Sequence, residues 1–247
     1  MKLAVGRYVL GWASIAFGAL ALTWRDFNEW QQIRVLGPIP HRDVLLYAIA
    51  LAEIFGGLTI QWRATARVGA LVLAVVYLFF GILWLPLFIQ KPIYDQIGNF
   101  FEQFSMVCGA LIVYAAAQPR NSSTTVRLTR IGYYGFGLCV VSFTLEQALY
   151  LRGTAEFVPK WIPPGQMFWA VATTIAFALA AVALLVGRCS LLASRLLTLM
   201  IVLFGLIIWV PAAFADPHSL TSWAGIAENY GIGGAAWIVA DYLQPFR

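Results

Sequence analysis

The sequence predicts an all-α, polytopic membrane protein whose eight transmembrane helices form two parallel four-helix repeats. Three observations carry that expectation. Of 247 residues, 61% are hydrophobic and 11% charged, against about 25% charged in a soluble domain. Eight apolar runs approach the ~20 residues that cross a bilayer; they cover roughly residues 6–24, 43–61, 67–90, 97–117, 131–150, 165–187, 191–214 and 222–241. Finally, Glu102-Gln103-Phe104-Ser105 with Gly109 following returns 126 residues later as Glu228-Asn229-Tyr230-Gly231 with Ala235 following.

Taken in order, the first run begins after Met1 and Lys2. It is longer than a signal h-region and has no small-residue cleavage site before Trp24-Arg25, which predicts a retained span. Ser14 and Gly18 are spaced to let a second helix approach closely. The outer stretch from Phe27 to Pro40 sets Trp30 and Val35-Leu36 among polar residues and ends Gly37-Pro38-Ile39-Pro40, the pattern of an interfacial amphipathic segment closed by a turn. Span two carries Glu53 at mid-depth, span three ends Gly81-Ile82-Leu83-Trp84-Leu85-Pro86, and span four is expected from about Asn99.

The polar stretch Gln118 to Thr125 lies in a predicted linker, 118–130, between a first repeat, 1–117, and a second, 131–247. In the second half the outer loop runs from Arg152 to Pro164. There Ile162-Pro163 answers Ile39-Pro40 at an offset of 123, and Trp209-x-Pro211 answers Trp84-x-Pro86 at 125. Offsets climbing through 123, 125 and 126 are expected of one duplication with small loop insertions. Because each repeat holds an even number of spans, both enter the membrane in the same sense, related by a pseudo-two-fold axis along the membrane normal.

Of the sixteen Lys and Arg residues, ten fall on one predicted side, including Arg63, Arg67, Arg127, Arg130, Arg188 and Arg195, and six on the other. This asymmetry predicts that both termini are cytoplasmic. It also accounts for the net charge of +5 without nucleic acid. Cys108, Cys139 and Cys189 are far apart in sequence and form no C-x-x-C, so neither a zinc site nor a dithiol is expected.

A compact four-span unit with a long first outer loop, a proline-ended turn into span two and a Glu followed by small residues in span four resembles the DoxX family of bacterial membrane proteins. The resemblance covers both halves. It implies a multi-pass protein of the bacterial inner membrane, and it points to quinone-linked and oxidative-stress redox complexes, where some members are subunits. The only site residue it transfers is the span-four glutamate, here Glu102 and Glu228.

Read for chemistry, Glu102 and Glu228 fall in the expected first outward turns of spans four and eight, each heading a stripe of small residues at i+3 and i+7. They could flank an outward-facing cleft between the repeats, or simply complement a helix dipole. Glu53 is too deep for the second role; a carboxyl at that depth costs about 3 kcal/mol and faces the bundle interior, which makes it a candidate proton acceptor. Glu146 reads as a surface acid paired with Arg152. Trp84 and Trp209 differ from the interfacial tryptophans because the nearby proline can turn the indole inward, so they are candidate cofactor-binding residues. His41 and His218 fall at outer loops, which disfavours haem, and no metal site is predicted. Motifs for nucleotide binding or hydrolysis are absent from the sequence.

The expected function is an integral membrane subunit of a quinone-linked redox system, with electrons arriving from a second membrane or peripheral protein. The alternative is a non-catalytic subunit that steadies a larger membrane complex.

Overall fold

The computed structural model describes residues 5–28, 38, 41–118 and 122–244. Within these residues the only regular secondary structure is helical, with no strand. The first half holds α1 (Val5–Trp24), α2 (Arg42–Thr59), α3 (Ala66–Gln90) and α4 (Tyr94–Ala116). The second holds α5 (Ser123–Leu149), the short α6 (Leu151–Phe157), α7 (Gln166–Val186), α8 (Ser190–Phe204), α9 (Val210–Ala215) and α10 (Leu220–Leu243). Between α8 and α9 the rod does not break; residues Gly205–Trp209 form a wider π-helical turn.

Local sequence explains the boundaries. Arg25 leaves α1 in the left-handed region, φ 51°, and the chain is then pinned to α2 by Arg42. Its Nη2 lies 2.9 Å from Asp26 Oδ1 and 2.7 Å from the Arg25 carbonyl oxygen. Gly187 at φ 77° ends α7, as glycine past a last helical turn commonly does. Ser219 caps α10 by accepting the Ser222 N–H at 3.2 Å. Pro86 sits inside α3, and the helix runs through it to Gln90. Two boundaries differ from expectation: α4 starts at Tyr94, about five residues before Asn99, and α5 starts at Ser123, so much of the expected linker is helix. The interfacial segment expected before Pro40 lies largely outside the described residues.

The helices pack in a closed ring, α1 on α2, then α3, α4, α5, α7, α8, α10 and back to α1, while α4 and α10 also meet across the centre. These two form the core. From Ser105 to Ala110 and from Gly231 to Ala236 every residue is buried, as expected of helices with protein on all sides. They touch where Gly109 faces Ala235; a methyl group on Gly109 would stand 2.9 Å from the Ala235 Cβ. At the flanking contacts Gly6 of α1 meets the α10 backbone at Ile238, and Gly132 of α5 meets α4 at Cys108 and Ile112.

Among the described residues six rods are long and apolar enough to cross a membrane: α1, α3, α4, α5, α7 and the continuous Ser190–Ala215. The eight expected runs include two more, α2 and α10, which sit in the same ring without meeting that measure. α2 carries Arg42, Asp43 and Glu53 in 18 residues. In α10 small and polar residues replace large apolar ones, because its neighbours are helices and not lipid.

Candidate functional site

A cavity of about 480 Å³ opens among the second-half helices. Its polar lining comes from Glu102 on α4, Glu146 and Gln147 on α5, Thr154 on α6, Thr173 on α7, and Glu228 and Asn229 on α10. Its walls are aromatic and aliphatic, with Phe143, Phe157, Trp169, Phe177, Phe204 and Trp209 among them. Among the described residues no Lys, Arg or His reaches the lining, so its ionisable side chains are all acidic.

Helix starts decide what the glutamates can be doing. Glu102 is the ninth residue of α4 and Glu228 the ninth of α10, about 12 Å along each axis at 1.5 Å per residue. A dipole effect confined to the first turn therefore does not explain either one. Both are half-buried, and the buried Gln103 donates through Nε2 to Glu228 Oε1 at 3.1 Å. That bond joins α4 to α10 beside the cavity. Glu146 approaches from α5 onto the backbone of α4, where a methyl group on Gly98 would overlap its carboxyl. This replaces the expected surface pair: among the described residues no ion pair joins Glu146 to Arg152. Gln147 is fixed by two donors, the hydroxyls of Thr173 and Thr174, each 3.2 Å from its Oε1.

Trp209 stands at the end of the π-helical turn, its indole laid on α10 at Gly225 and its ring centroid 5.9 Å from that of Phe157. Phe157 and Trp169 are exposed residues of the lining. The other sequence candidates lie elsewhere. Trp84 is 2% exposed and packs with Phe27, Phe80 and Leu87 in the first-half core. Glu53 is 1% exposed on α2, against Gly18 of α1, and does not line the cavity. The two halves touch at Gly109 and Ala235, and the cavity lies to one side of that contact; among the described residues Glu102 is its one lining residue from the first half.

Glu146 is what sequence reasoning missed, since it has no acidic counterpart in the first half. A second miss is that Cys108 and Cys139, 31 positions apart, are buried side by side, thiol to thiol, where α4 packs on α5. Among the described residues no three His, Cys, Asp or Glu side chains are placed to hold a metal ion.

Residues 2–85 match the DoxX family. The DoxX match covers α1, α2 and α3 as far as Leu85, and so contains Glu53 and Trp84. The cavity residues Glu102, Glu146, Trp209 and Glu228 all lie beyond it. No curated protein and no solved structure matches the chain. Residues 2–85 are thus similar to that family, and the long apolar helices make the chain a multi-pass membrane protein in contact with a lipid bilayer.

Proposed function

We propose that the protein is an eight-span bacterial inner-membrane subunit of a quinone-linked redox system, built from two tandem DoxX-like four-helix units, with both termini cytoplasmic. Support for the tandem arrangement comes from contacts that repeat at the sequence offset. Gly6 against Ile238 and Gly132 against Ile112 are one contact made twice, 126 residues apart on both partners. Gly81 against Gln103 is made again as Gly205 against Asn229. Gly109 meets its own counterpart, Ala235, where a two-fold axis would pass.

The observation that carries the functional reading is the convergence of Glu102, Glu146 and Glu228 on one aromatic-walled cavity. Its size and composition fit a quinone headgroup: flat aromatic faces for the ring, acids and amides for the carbonyl oxygens. A bound quinone would supply the electron and proton acceptor. The chain's own part is to orient the headgroup between Trp209, Phe157 and Trp169, and to hold or give up protons at the three carboxyls. Gln103 fixes one of those carboxyls through Glu228 Oε1. Electrons would come from a partner protein.

The test is extraction and chromatography of quinones from protein purified in mild detergent, on the wild type and on Glu102→Gln, Glu146→Gln and Glu228→Gln. Co-purified quinone that falls at least several-fold in the variants supports the reading. Quinone-free wild type, together with variants that still sustain the host's redox phenotype, would sink it and favour the assembly subunit.

A further inference from the structure

A second cavity, of about 650 Å³, lies at the opposite end of the second-half helices, where α5, the start of α8 and the end of α10 come together. Among the described residues two arginines line it, Arg130 of α5 and Arg195 of α8, and no Asp or Glu does. Among the described residues neither guanidinium has a hydrogen bond or ion pair. Asp241 feels the charge of Arg195 but is buried, with its Oδ2 accepting the Gly6 N–H at 3.3 Å. Two cations on one concave surface repel unless an anion sits between them.

The floor is built before any ligand arrives. The Tyr133 hydroxyl donates to the Leu184 carbonyl oxygen at 2.6 Å, and the Ser190 hydroxyl donates to the Ala183 carbonyl oxygen at 2.9 Å. Tyr133 also packs on Tyr134 and Tyr242, at centroid distances of 5.0 and 6.2 Å. At the rim, Tyr134, Leu192 and Tyr242 are exposed at 50%, 59% and 41%, an apolar border beside a cationic centre. Arg130 and Arg195 both belong to the basic-rich side of the chain, where anionic headgroups meet a membrane protein.

We infer that this cavity binds a phosphate-bearing anion, with Arg130 and Arg195 gripping the phosphate oxygens. An anionic phospholipid headgroup and free phosphate share that chemistry. The apolar rim favours the lipid, whose acyl chains would lie along Leu192 and Tyr134.

The experiment places full-length protein in phosphatidylcholine nanodiscs containing a titrated fraction of cardiolipin and counts retained lipid by native mass spectrometry. A parallel arm follows thermal unfolding in inorganic phosphate. Wild type should retain cardiolipin, and Arg130→Gln/Arg195→Gln should bind it roughly thirtyfold more weakly, about one interfacial charge's contribution twice over. Arg188→Gln, which removes one charge from the same end of the helices but outside the lining, should change binding by no more than about fivefold, one interfacial charge's worth. Protection by inorganic phosphate that matches cardiolipin and is lost in the double variant assigns the anion to free phosphate. Equal loss in the control and the double variant overturns the site. So does wild-type retention that is unchanged as salt rises from about 0.1 to 1 M, where screening shortens from ~10 to ~3 Å.

Discussion

On the proposed duplication the two halves share one plan, and their interiors are opposite. In the first half the space enclosed by α1 to α4 is filled: Trp84, Phe80, Phe27 and Leu87 are each under 8% exposed and pack with Leu46 and Val76. In the second half the corresponding tryptophan, Trp209, is only half-buried, and the corresponding Phe204 lines an open cavity. Glu53 on α2 has Phe177 as its second-half counterpart, so the buried acid and the cavity wall have traded places. Together the halves separate two requirements that compete within one bundle: dense packing that holds helices in place, and an unfilled space that admits a ligand. α4 and α10 belong to both interiors and carry a glutamate at the same depth.

Substitutions can break this contrast, and the largest effect on stability should come from the filled side. Trp84→Ala is expected to cost about 3–5 kcal/mol, as for large-to-small changes in a packed core. Trp209→Ala should cost much less and instead weaken ligand binding; thermal unfolding of the two purified variants compares them directly. Next comes the seam between the halves. Gly109→Val drives a side chain into Ala235, and overpacking of this kind costs about 1–3 kcal/mol, read as a lower melting temperature with the helical circular dichroism retained.

Asp26→Asn weakens the tie between the end of α1 and the start of α2. Because Arg42 is about one-third exposed, the loss should be at most about 1 kcal/mol, with no effect on the cavity. The smallest stability change is expected from Ile208→Trp, which adds bulk at the cavity wall. It should leave the melting temperature within about a degree or two while abolishing quinone retention, which would sharpen the assignment of the open half to binding.

Much of this organisation was legible in the chain. The apolar runs located the long helices to within a few residues at most ends, and the Glu102/Glu228 echo found two of the cavity's three acids. Other features were hidden for physical reasons. Asp95, Gln96 and Asn99 interrupt the apolar pattern at the start of α4, so hydropathy places that start too late and makes Glu102 look like a helix-cap acid. Glu146 becomes a cavity residue only because α5 lies on α4 at Gly98, a tertiary fact that no local pattern records. Trp84 and Trp209 read alike in sequence, each two residues before a proline. What separates them is how their neighbours pack.

The π-helical turn bears on history as well as shape. Gly81-Ile82-Leu83-Trp84-Leu85-Pro86 aligns with Gly205-Leu206-Ile207-Ile208-Trp209-Val210-Pro211 with a single residue to spare, and that spare residue falls inside Gly205–Trp209. An added codon within a straight helix can be taken up in one loosened coil, which absorbs the extra residue locally and lets the helix resume its earlier phase beyond, so the displacement falls on the residues of the coil itself, Trp209 among them. If the halves arose by duplication, a one-residue slip in the descendant gene would have swung an anchoring indole aside and left room for a guest.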